Sequence, residues 1–351
     1  MQFPYFRRSL LDWNALENTR KMPWKGEKDP YKVWLSEVIL QQTRVEQGLA
    51  YYERFLEAFP RVEDLAGAEE DHIFKYWEGL GYYSRCKNLI HTAKFIAGER
   101  QGRFPDTYEG ILALRGVGSY TAAAIASFAY GLPHAVVDGN VLRVLSRFFG
   151  VREPVDSTGG RALLNDLAAK CLERDAPGVY NQAIMDFGAV VCKPVAPACG
   201  GCPLRTDCVA LREGAVELLP VKSKRTVRRP RRFVYLVAEY KGGVYVRKRT
   251  GKDIWQNLFE FILHELNDEN EWNDYGALLG DASYTVLGRS PWYRQLLTHQ
   301  EVRASFVRIR LQKPLHVPGF TRAPKEELEK LAFPRLLNDY LHAPLRAPEL
   351  F

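Results

Sequence analysis

Up to about Leu211 the chain repeats apolar residues at the three- and four-residue spacing of amphipathic helices, with short Gly and Pro turns between the repeats. The predicted helical stretches are Pro30–Phe59, Asp71–Leu80, Arg85–Glu99, Tyr108–Arg115, Ser119–Tyr130, Asn140–Phe149 and Gly159–Glu173. The pattern therefore predicts a mostly α-helical first domain.

From Arg232 onward the pattern changes to short runs of apolar and β-branched residues. The predicted strands are Arg232–Tyr240, Val244–Arg249, Leu258–His264 and Val302–Leu311. The first two flank Lys241, Gly242 and Gly243, which favours a β-hairpin. Lys325–Leu341 predicts an amphipathic helix with a break just before Pro334. The second domain is predicted to be α+β.

Composition sets wider bounds on what the protein can be. A chain of 351 residues with 46% hydrophobic content can form two domains with their own cores. Its longest apolar run, Thr121–Leu132, is too short to span a bilayer, which predicts a soluble protein with no membrane partner. The net charge of +7 favours a polyanionic partner, although this indication is weak by itself. The basic run Val221–Arg232 predicts a solvated linker, a strap along phosphates, or both.

Four cysteines, spaced C-x6-C-x2-C-x5-C, form the most specific pattern in the chain; they are Cys192, Cys199, Cys202 and Cys208. Four thiolates this close can hold one [4Fe–4S] cluster. A zinc site is the alternative, but zinc ribbons usually carry two short C-x2-C pairs. Disulfides fit poorly, because Met1–Leu11 has no apolar segment typical of a secretory signal. Cys86 and Cys171 are predicted to be small apolar core residues.

A tight turn joins two predicted helices at Gly116-Val117-Gly118. Two glycines this close can present free amide N–H groups at the start of the next helix, where the helix dipole also favours a phosphate. Taken alone, the turn could equally be an ordinary joint between helices. Next to an iron–sulfur loop, it looks like the helix–hairpin–helix of base-excision DNA glycosylases.

Two carboxyls are predicted to have unlike surroundings. Glu37 shares a helix face with Val33, Trp34 and Leu40, so desolvation should raise its pKa, unless a core hydrogen bond satisfies it. Asp138 precedes a predicted helix as a plain N-cap, whose amide donors should also hold the carboxylate ionised. One neutral and one charged carboxyl suit cleavage of a glycosidic bond through a cation-like state.

These segments together resemble the MutY-type adenine DNA glycosylases over nearly the whole chain. Besides the hairpin glycines and the four cysteines, the motifs that carry the resemblance are Pro23-Trp24, Trp34-Leu35-Ser36-Glu37-Val38-Ile39-Leu40-Gln41-Gln42-Thr43, Gly79-Leu80-Gly81-Tyr82-Tyr83 and Val137-Asp138-Gly139-Asn140. The resemblance implies excision of adenine mispaired with 8-oxoguanine or guanine, after the base is flipped out of duplex DNA into a pocket between two helical lobes.

It also implies a role for each matching residue. Glu37 would protonate adenine N7 and Asp138 would stabilise the cationic sugar, with Tyr120 and Asn140 orienting these groups and the attacking water. The residues implied to contact DNA near the lesion are Gln41, Gln42, Thr43, Tyr82, Gly116 and Gly118. The adenine pocket would be lined by Arg20, Met22, Trp24 and Gln182, although Trp24 and Tyr82 could also be core residues.

One position separates this family from its strand-cutting relatives. Endonuclease III-like enzymes carry a Schiff-base lysine at the second residue after the hairpin glycine, where this chain has Tyr120. The Asp138 loop is followed by Leu142, also not a lysine. The sequence therefore predicts a monofunctional glycosylase that leaves an abasic site for a separate downstream enzyme.

The second domain resembles the Nudix-like domain with which MutY enzymes recognise 8-oxoguanine. The magnesium-binding motif G-x5-E-x7-R-E-x2-E-E is absent from the sequence, so binding is predicted rather than pyrophosphate hydrolysis. Leu297-Thr298-His299 aligns with a loop that often has Phe-Ser-His in the family, and Thr298 and His299 would meet the damaged base. His299 could instead be a solvent-facing strand residue. Arg115 stands where relatives often have proline.

The expected domains are a glycosylase domain at 1–212, a basic linker at 213–231 and a Nudix-like domain at 232–351. The first would consist of a six-helix lobe at about 23–133 and a cluster lobe at 1–22 plus 134–212. We expect a cytoplasmic bacterial monomer that acts on nucleoid DNA. Two rivals remain, a thymine glycosylase for T·G mispairs, which typically lacks the second domain, and a non-catalytic iron–sulfur DNA-binding or electron-carrier protein.

Overall fold

The structure, a computed structural model, describes residues 2–43, 45–223, 227–266 and 274–343. Backbone contacts divide the chain into two compact units. The helical unit comprises Met1–Gly67 and Lys87–Lys224, and the sheet unit comprises Ala68–Cys86 and Arg225–Phe351. Residues 68–86 thus group with the C-terminal part of the chain. The sequence analysis assigned them to the glycosylase domain, and that division stays a prediction.

Among the described residues, the α-helices in chain order are α1 (Gln2–Leu16), α2 (Pro30–Leu40), α3 (Val45–Ala58), α4 (Val62–Gly67), α5 (Glu70–Trp77), α6 (Tyr83–Glu99), α7 (Tyr108–Leu112), α8 (Ser119–Phe128), α9 (Gly139–Phe149), α10 (Thr158–Cys171), α11 (Pro177–Val190), α12 (Val209–Arg212), α13 (Gly276–Leu279) and α14 (Arg335–Leu341). Short 3₁₀ turns cover Cys199–Gly201 and Lys325–Lys330. In the part of the chain that the structure describes, no helix has the length and apolar character needed to cross a membrane.

The long helical stretch predicted at Pro30–Phe59 is two helices. α2 ends at Leu40 because Gln41 takes an extended ψ of 113° and Gln42 lies in the left-handed region at φ 56°. The segment between the two helices contains Gln41, Gln42 and Thr43, three of the residues implied to contact DNA. A single helix across this stretch was therefore a wrong prediction.

The core of the helical unit joins the N-terminus of the chain to its later helices. Phe6, Leu10 and Trp13 of α1 pack with Phe148 of α9 and Phe187 of α11 in one buried cluster. Trp13 meets Phe187 edge to face, with ring centroids 5.1 Å apart. α1 therefore belongs to the same core as the helices that follow residue 134.

Among its described residues, the sheet unit contains a mixed sheet of eight strands. The strands are β1 (Arg229–Tyr240), β2 (Gly243–Lys248), β3 (Phe259–Glu260), β4 (Ile262–Leu266), β5 (Tyr284–Arg289), β6 (Tyr293–Leu296), β7 (Gln300–Leu311) and β8 (Thr321–Pro324). β1 and β7 pair in parallel from Arg229↔Gln300 to Glu239↔Arg310, and the remaining pairs are antiparallel. The hairpin predicted around Gly242 is confirmed by the antiparallel pairing of β1 with β2.

Both faces of the central strands are buried. On one face Val234, Leu236 and Ala238 of β1 pack with Val307 and Ile309 of β7. On the other, Tyr235, Phe306 and Tyr340 form a stack, with centroids 5.4 Å and 4.0 Å apart. Alternate residues of β1 therefore enter two different cores, as period-two side chains require.

Two predictions for this unit need correction. Leu258–His264 is two strands rather than one, because Phe259–Glu260 pairs with β2 whereas Ile262–Leu266 pairs with β1. Lys325–Leu341 is a 3₁₀ turn followed by α14, so its first half is not α-helical. The break before Pro334 is confirmed, since the residue that precedes a proline is disfavoured in the helical region.

Candidate active site

Glu37 lies on α2, a helix that is buried on nearly every side. Its side chain is nearly inaccessible, as are those of Val33 and Trp34 one turn earlier. Burial raises the pKa of Glu37 to about 7; a hydrogen bond with the Tyr120 hydroxyl opposes this shift and the negative charge of Asp138 adds to it. Tyr120, near the start of α8, has a pKa raised well above its usual range by burial and then by the charges of Glu37 and Asp138. Three of the predicted catalytic residues therefore interact.

Asp138 is the N-cap of α9. Its carboxylate accepts hydrogen bonds from Val141 N–H at 2.7 Å and from Asn140 Nδ2 at 2.8 Å. Burial nevertheless raises the pKa of Asp138, and the hydrogen bonds from Val141 and Asn140 and the charge of Arg143 oppose that shift. The sequence predicted the stabilising donors but not the burial that acts against them.

Arg143 ties the start of α9 to α11 and to the cysteine loop. Its guanidinium donates to Asn140 Oδ1 at 2.8 Å, to the Gly188 carbonyl at 2.7 Å and to the Cys192 carbonyl at 2.8 Å. Asn140 is thereby fixed at both ends, because its amide nitrogen donates to Asp138 and its oxygen accepts from Arg143. Sequence reasoning missed Arg143, although its position three residues after Asn140 on one helix could have indicated it.

The glycine turn joins α7 to α8 as predicted. Gly116 has φ +80°, and a Cβ there would lie 2.6 Å from Asn88 Cβ. Gly118 is the N-cap of α8 with φ −95°, and a Cβ there would meet nothing within 4 Å. Gly116 is therefore required by backbone shape and packing, whereas Gly118 leaves the helix N-terminus open.

The segment that follows α2 carries three polar side chains in different settings. Gln41 donates from Nε2 to Thr121 Oγ1 at 3.2 Å, and its carbonyl accepts from Thr43 Oγ1 at 3.4 Å. Gln42 is exposed at its positive φ. Gln41 is thus anchored to α8, and Gln42 is exposed to solvent.

The predicted pocket residues Arg20 and Gln182 meet on one carboxylate that the sequence did not single out. Asp186 is fully buried, and its Oδ1 accepts from Arg20 at 2.8 Å and from Gln182 Nε2 at 3.1 Å. Trp24 is buried edge to face against Tyr52, with centroids 5.5 Å apart, and Met22 is half-buried. The sequence could have indicated this contact, because Asp186 follows Gln182 by four residues on the same helix.

In the sheet unit, Tyr82, which was implied to contact DNA near the lesion, touches Thr298, which was implied to meet the damaged base. The hydroxyls of Tyr82 and Thr298 are 2.8 Å apart, although the residues are far apart in sequence. Tyr82 is 45% exposed at φ 49°, and the Arg85 guanidinium lies 5.4 Å from its ring centroid. Thr298 and His299 are exposed in the short loop between β6 and β7, so His299 is a loop residue rather than a strand residue.

The four cysteines of the predicted cluster loop are half-buried with free thiols. Burial raises the pKa values of Cys199, Cys202 and Cys208, and the neighbouring cysteines contribute to each shift. Arg147 donates to Cys192 Sγ at 3.4 Å and to the Lys193 carbonyl at 2.7 Å. Four half-buried thiols on one loop are the donor type that an iron–sulfur cluster uses, so the fit lies in their chemistry and not in a preformed metal position. Within the described ranges, no group of three or more His, Cys, Asp or Glu is arranged to hold a metal ion.

The paired acids can perform proton transfer at neutral pH. A carboxyl whose pKa is near 7 is protonated in about half of the molecules at that pH, so Glu37 can act as a general acid. Asp138 has donors that favour its anionic form, and an anion there can stabilise a positive charge that develops nearby. The arrangement suits hydrolysis of an N-glycosyl bond.

Residues 35–165 match the profile described as HhH-GPD superfamily base excision DNA repair protein. This match and the helical fold define a DNA glycosylase, a hydrolase of N-glycosyl bonds. The adenine DNA glycosylase of Buchnera aphidicola subsp. Schizaphis graminum is 35% identical over 256 residues, which cover 73% of this chain and 74% of that protein. The chain belongs to the adenine DNA glycosylase family.

Other comparisons give one more adenine DNA glycosylase and two solved structures with a similar fold. The mouse adenine DNA glycosylase is 40% identical over 227 residues, which cover 61% of this chain and 44% of the mouse protein. The structure of a thermostable thymine-DNA glycosylase superposes with a TM-score of 0.56 and 28% identity, covering 60% of this chain and 97% of that one. A non-covalent endonuclease III–DNA complex gives a TM-score of 0.52 at 20% identity, covering 61% and 96%, and shares the fold.

Proposed function

We propose that this enzyme removes adenine paired with 8-oxoguanine or guanine from duplex DNA and leaves the sugar–phosphate strand intact. The observation that carries the proposal is the unlike setting of two interacting carboxyls. Burial raises the pKa of Glu37 to about 7, whereas Asp138 has hydrogen-bond donors from the first turn of α9.

The acid step belongs to Glu37. Its carboxyl gives a proton to adenine N7, the bond between C1′ and N9 breaks, and the bonding electrons leave with the neutral base. The Tyr120 hydroxyl orients Glu37 through the hydrogen bond between them. Glu37 is left as a carboxylate, which can accept a proton from the attacking water.

The cation step belongs to Asp138. The sugar becomes positively charged at C1′ as the base departs, and a carboxylate beside that charge stabilises it. The same positive charge lowers the pKa of Asp138, which offsets the shift caused by burial. Asn140 holds the carboxylate through Nδ2 while water adds to C1′ and completes the hydrolysis.

The monofunctional outcome rests on Tyr120 and Leu142. A Schiff base with the opened sugar needs an amine, and neither a phenol nor an alkyl side chain can form one. The pKa of Tyr120 is raised well above its usual range, so its hydroxyl stays neutral. We infer that the product is an abasic site, which a separate enzyme must process.

Recognition of the 8-oxoguanine strand is proposed for Tyr82, Thr298 and His299. Their exposure and the hydrogen bond between Tyr82 and Thr298 support a shared contact surface. Gln42, exposed after α2, and the amides that follow Gly116 and Gly118 would contact the duplex near the flipped adenine. The proposed partner is duplex DNA that contains the mispair, bound by a monomer.

The four cysteines would hold a [4Fe–4S] cluster, which would fix the loop between Cys192 and Cys208 through its four sulfur bonds. Arg147 holds the same loop through its hydrogen bonds to Cys192 and Lys193. Lys193 and Arg205 on this loop supply cations for DNA phosphates.

A base-release assay tests the proposal. Duplexes with A·8-oxoguanine, A·G, T·G and A·T pairs are incubated with excess enzyme, and strands are analysed with and without alkali. We expect release from the first two, with breakage only after alkali. Glu37→Gln and Asp138→Asn should each slow release by roughly 10²–10⁴, while DNA binding and the exposed Glu57→Gln control remain at wild-type levels.

Each alternative has its own result in this assay. Release from T·G alone would favour the activity named for the thymine-DNA glycosylase that shares the fold. Strand breakage without alkali would contradict the monofunctional mechanism. If Glu37→Gln retained the wild-type rate, the acid step assigned to it would be wrong.

A further inference from the structure

The loop between β6 and β7 is a tight turn with two residues at its tip. The Leu297 N–H donates to the Gln300 carbonyl at 2.8 Å, which closes the turn around Thr298 and His299. Both side chains at the tip are exposed. The direction in which they point therefore depends on how the main chain of this turn is held.

The start of β1 and the residue before it hold this main chain from the side. The His299 carbonyl accepts from the Arg229 main-chain N–H at 2.9 Å. The Leu297 carbonyl accepts from the guanidinium Nε of Arg228 at 3.0 Å. These two bonds fix the peptide that precedes Thr298 and the peptide that follows His299, which are the two ends of the tip.

The segment that supplies the two bonds is itself anchored. Arg231, whose side chain is 11% exposed, donates to Asp253 at 2.7 and 2.9 Å and to both oxygens of Glu265 at 2.7 Å. It also donates to Gln300 Oε1 at 3.2 Å, directly after the tip of the turn. Charge-assisted, two-pronged bonds of this kind restrict geometry. The start of β1 is therefore a fixed base from which Arg228 reaches the turn.

Arg228 belongs to the basic run Val221–Arg232, which the sequence predicts to be a solvated linker or a strap along phosphates. The contact with Leu297 gives this arginine a second use. A guanidinium holds its N–H donors in a fixed planar fork, so its bond to a carbonyl restricts the peptide that it contacts. The bond from Arg229 belongs to the main chain, so Arg228 supplies the hold that a change of side chain removes.

We propose that Arg228 is a positioning residue that holds the Leu297 carbonyl and thereby aims Thr298 and His299 at the base opposite adenine, so that 8-oxoguanine is distinguished from guanine. Guanine presents an acceptor at N7, whereas 8-oxoguanine has an N–H there and an oxygen on C8. Hydrogen bonds to these atoms weaken steeply with distance and angle, so discrimination depends on where the turn holds its side chains. The inference rests on the proposed function, since it concerns how the same turn recognises the lesion.

The test compares adenine release opposite the two bases. Single-turnover rates are measured on A·8-oxoguanine and A·G duplexes at enzyme concentrations below saturation, so that recognition contributes to each rate. Arg228→Gln should lower the ratio of the first rate to the second roughly fivefold, the effect of about one hydrogen bond. The ratio cancels the loss of attraction to phosphate, because that loss is independent of the base.

Arg229→Gln is the matched control. It removes the same charge from the adjacent residue, whose side chain is exposed, and it keeps the main-chain N–H that donates to His299. Its ratio should stay within about twofold of the wild-type ratio. Melting temperatures check that both variants are folded.

A third comparison tests whether the effect passes through the turn. Thr298→Ala/His299→Ala should lower the ratio by itself, because it removes both side chains that are proposed to meet the lesion. Adding Arg228→Gln to this double variant should lower the ratio no further, since the side chains that Arg228 positions are already absent.

Three results would overturn the proposal. The first is a wild-type ratio in Arg228→Gln, and the second is an equal fall in Arg229→Gln, which would make charge the cause. The third is a further fall when Arg228→Gln is added to Thr298→Ala/His299→Ala. Failure of the proposed function is distinguishable, because Thr298→Ala/His299→Ala would then keep the wild-type ratio, or the wild-type enzyme would release no adenine.

Discussion

At the scale of single residues, Glu37 combines its proposed role as an acid with a cost to the stability of the fold. Its side chain is 6% exposed, and burial raises its pKa from 4.5 to about 7. A charged carboxylate at this position destabilises the folded state, because the unfolded chain can hydrate the charge and the folded chain cannot. The feature that makes Glu37 a neutral acid near pH 7 therefore makes the fold sensitive to pH.

Glu37→Gln should become more stable than the wild-type protein as the pH rises. Below pH 4.5 Glu37 is neutral in both the folded and the unfolded state, so its full contribution to the free energy of unfolding is present. Between pH 4.5 and 7 Glu37 ionises in the unfolded state but stays mostly neutral in the folded state, so the free energy of unfolding of the wild-type protein falls. The difference should grow by about 3 kcal/mol across that window and then level off. Melting temperatures of both proteins at pH 5, 6, 7 and 8 measure it.

Glu57→Gln serves as the control, because this glutamate is exposed on α3. Its melting temperature should follow that of the wild-type protein at each pH. A constant difference between Glu37→Gln and wild type from pH 5 to 8 would show that Glu37 is not neutral in the folded state near pH 7.

At the scale of elements, the turn between α7 and α8 separates two uses of glycine. Gly116 needs its positive φ and has Asn88 against the position that a Cβ would occupy. Gly118 needs neither, since its φ is −95° and the space around it is open. The first glycine shapes the turn, and the second keeps the start of α8 accessible.

Gly116→Ala should therefore lower the melting temperature, whereas Gly118→Ala should not. Strain at φ +80° and contact with Asn88 should cost Gly116→Ala at least ~1 kcal/mol, a fall of roughly 2–4 °C or more. Gly118→Ala should instead weaken binding to duplex DNA, because its methyl group would stand at the proposed phosphate site. Thermal melting and a DNA titration at fixed salt concentration distinguish the two effects.

Equal losses of stability in Gly116→Ala and Gly118→Ala would contradict the different roles assigned to the two glycines. Undiminished DNA affinity in Gly118→Ala would mean that phosphate does not approach this helix terminus. Either result would support the alternative that the turn is an ordinary joint between two helices.

At the scale of the whole molecule, long-range contacts bring together residues that no local pattern connects. Arg143 links Asn140 on α9 to Gly188 and Cys192, and Arg147 on the same helix holds Lys193. The cysteine loop is thus attached to the helix that begins at Asp138. Loss of order in that loop should disturb the start of α9, where the proposed catalytic residue Asp138 lies.

Iron analysis of the purified protein tests the cluster. We expect about four irons and four inorganic sulfides per chain, the content of one [4Fe–4S] cluster. Cys202→Ser should lower both, together with DNA affinity, because the loop with Lys193 and Arg205 would lose one of its anchors. Cys171→Ala, which removes a buried thiol from the helical core, is the matched control and should keep the full iron content.

Zinc in place of iron would contradict the iron–sulfur cluster and support the alternative, a zinc site held by the same cysteines. Full iron content in Cys202→Ser would show that this thiol is not a ligand. Each result is read per folded chain, so that loss of protein is not mistaken for loss of metal.

The spacing of neighbouring residues alone determined several local features of the fold. The β-hairpin at Gly242, the glycine turn at Gly116 and the capping of α9 by Asp138 depend on a few neighbouring residues, and the sequence predicted each of them. The burial of Glu37 was also predicted, although α2 is buried on nearly every side and not along one apolar face. Family motifs extended this to the adenine DNA glycosylase assignment.

Only the tertiary structure decided which distant groups meet. The ion pair of Asp186 with the segment after α1, the contact between Tyr82 and Thr298 and the bridge made by Arg143 join separate elements. The end of α2 at Leu40 and the division of one predicted strand into β3 and β4 likewise depend on partners elsewhere in the chain. Such contacts follow from how the elements pack, which single-element patterns do not contain, and packing is also what buries Asp138 and opposes its ionisation.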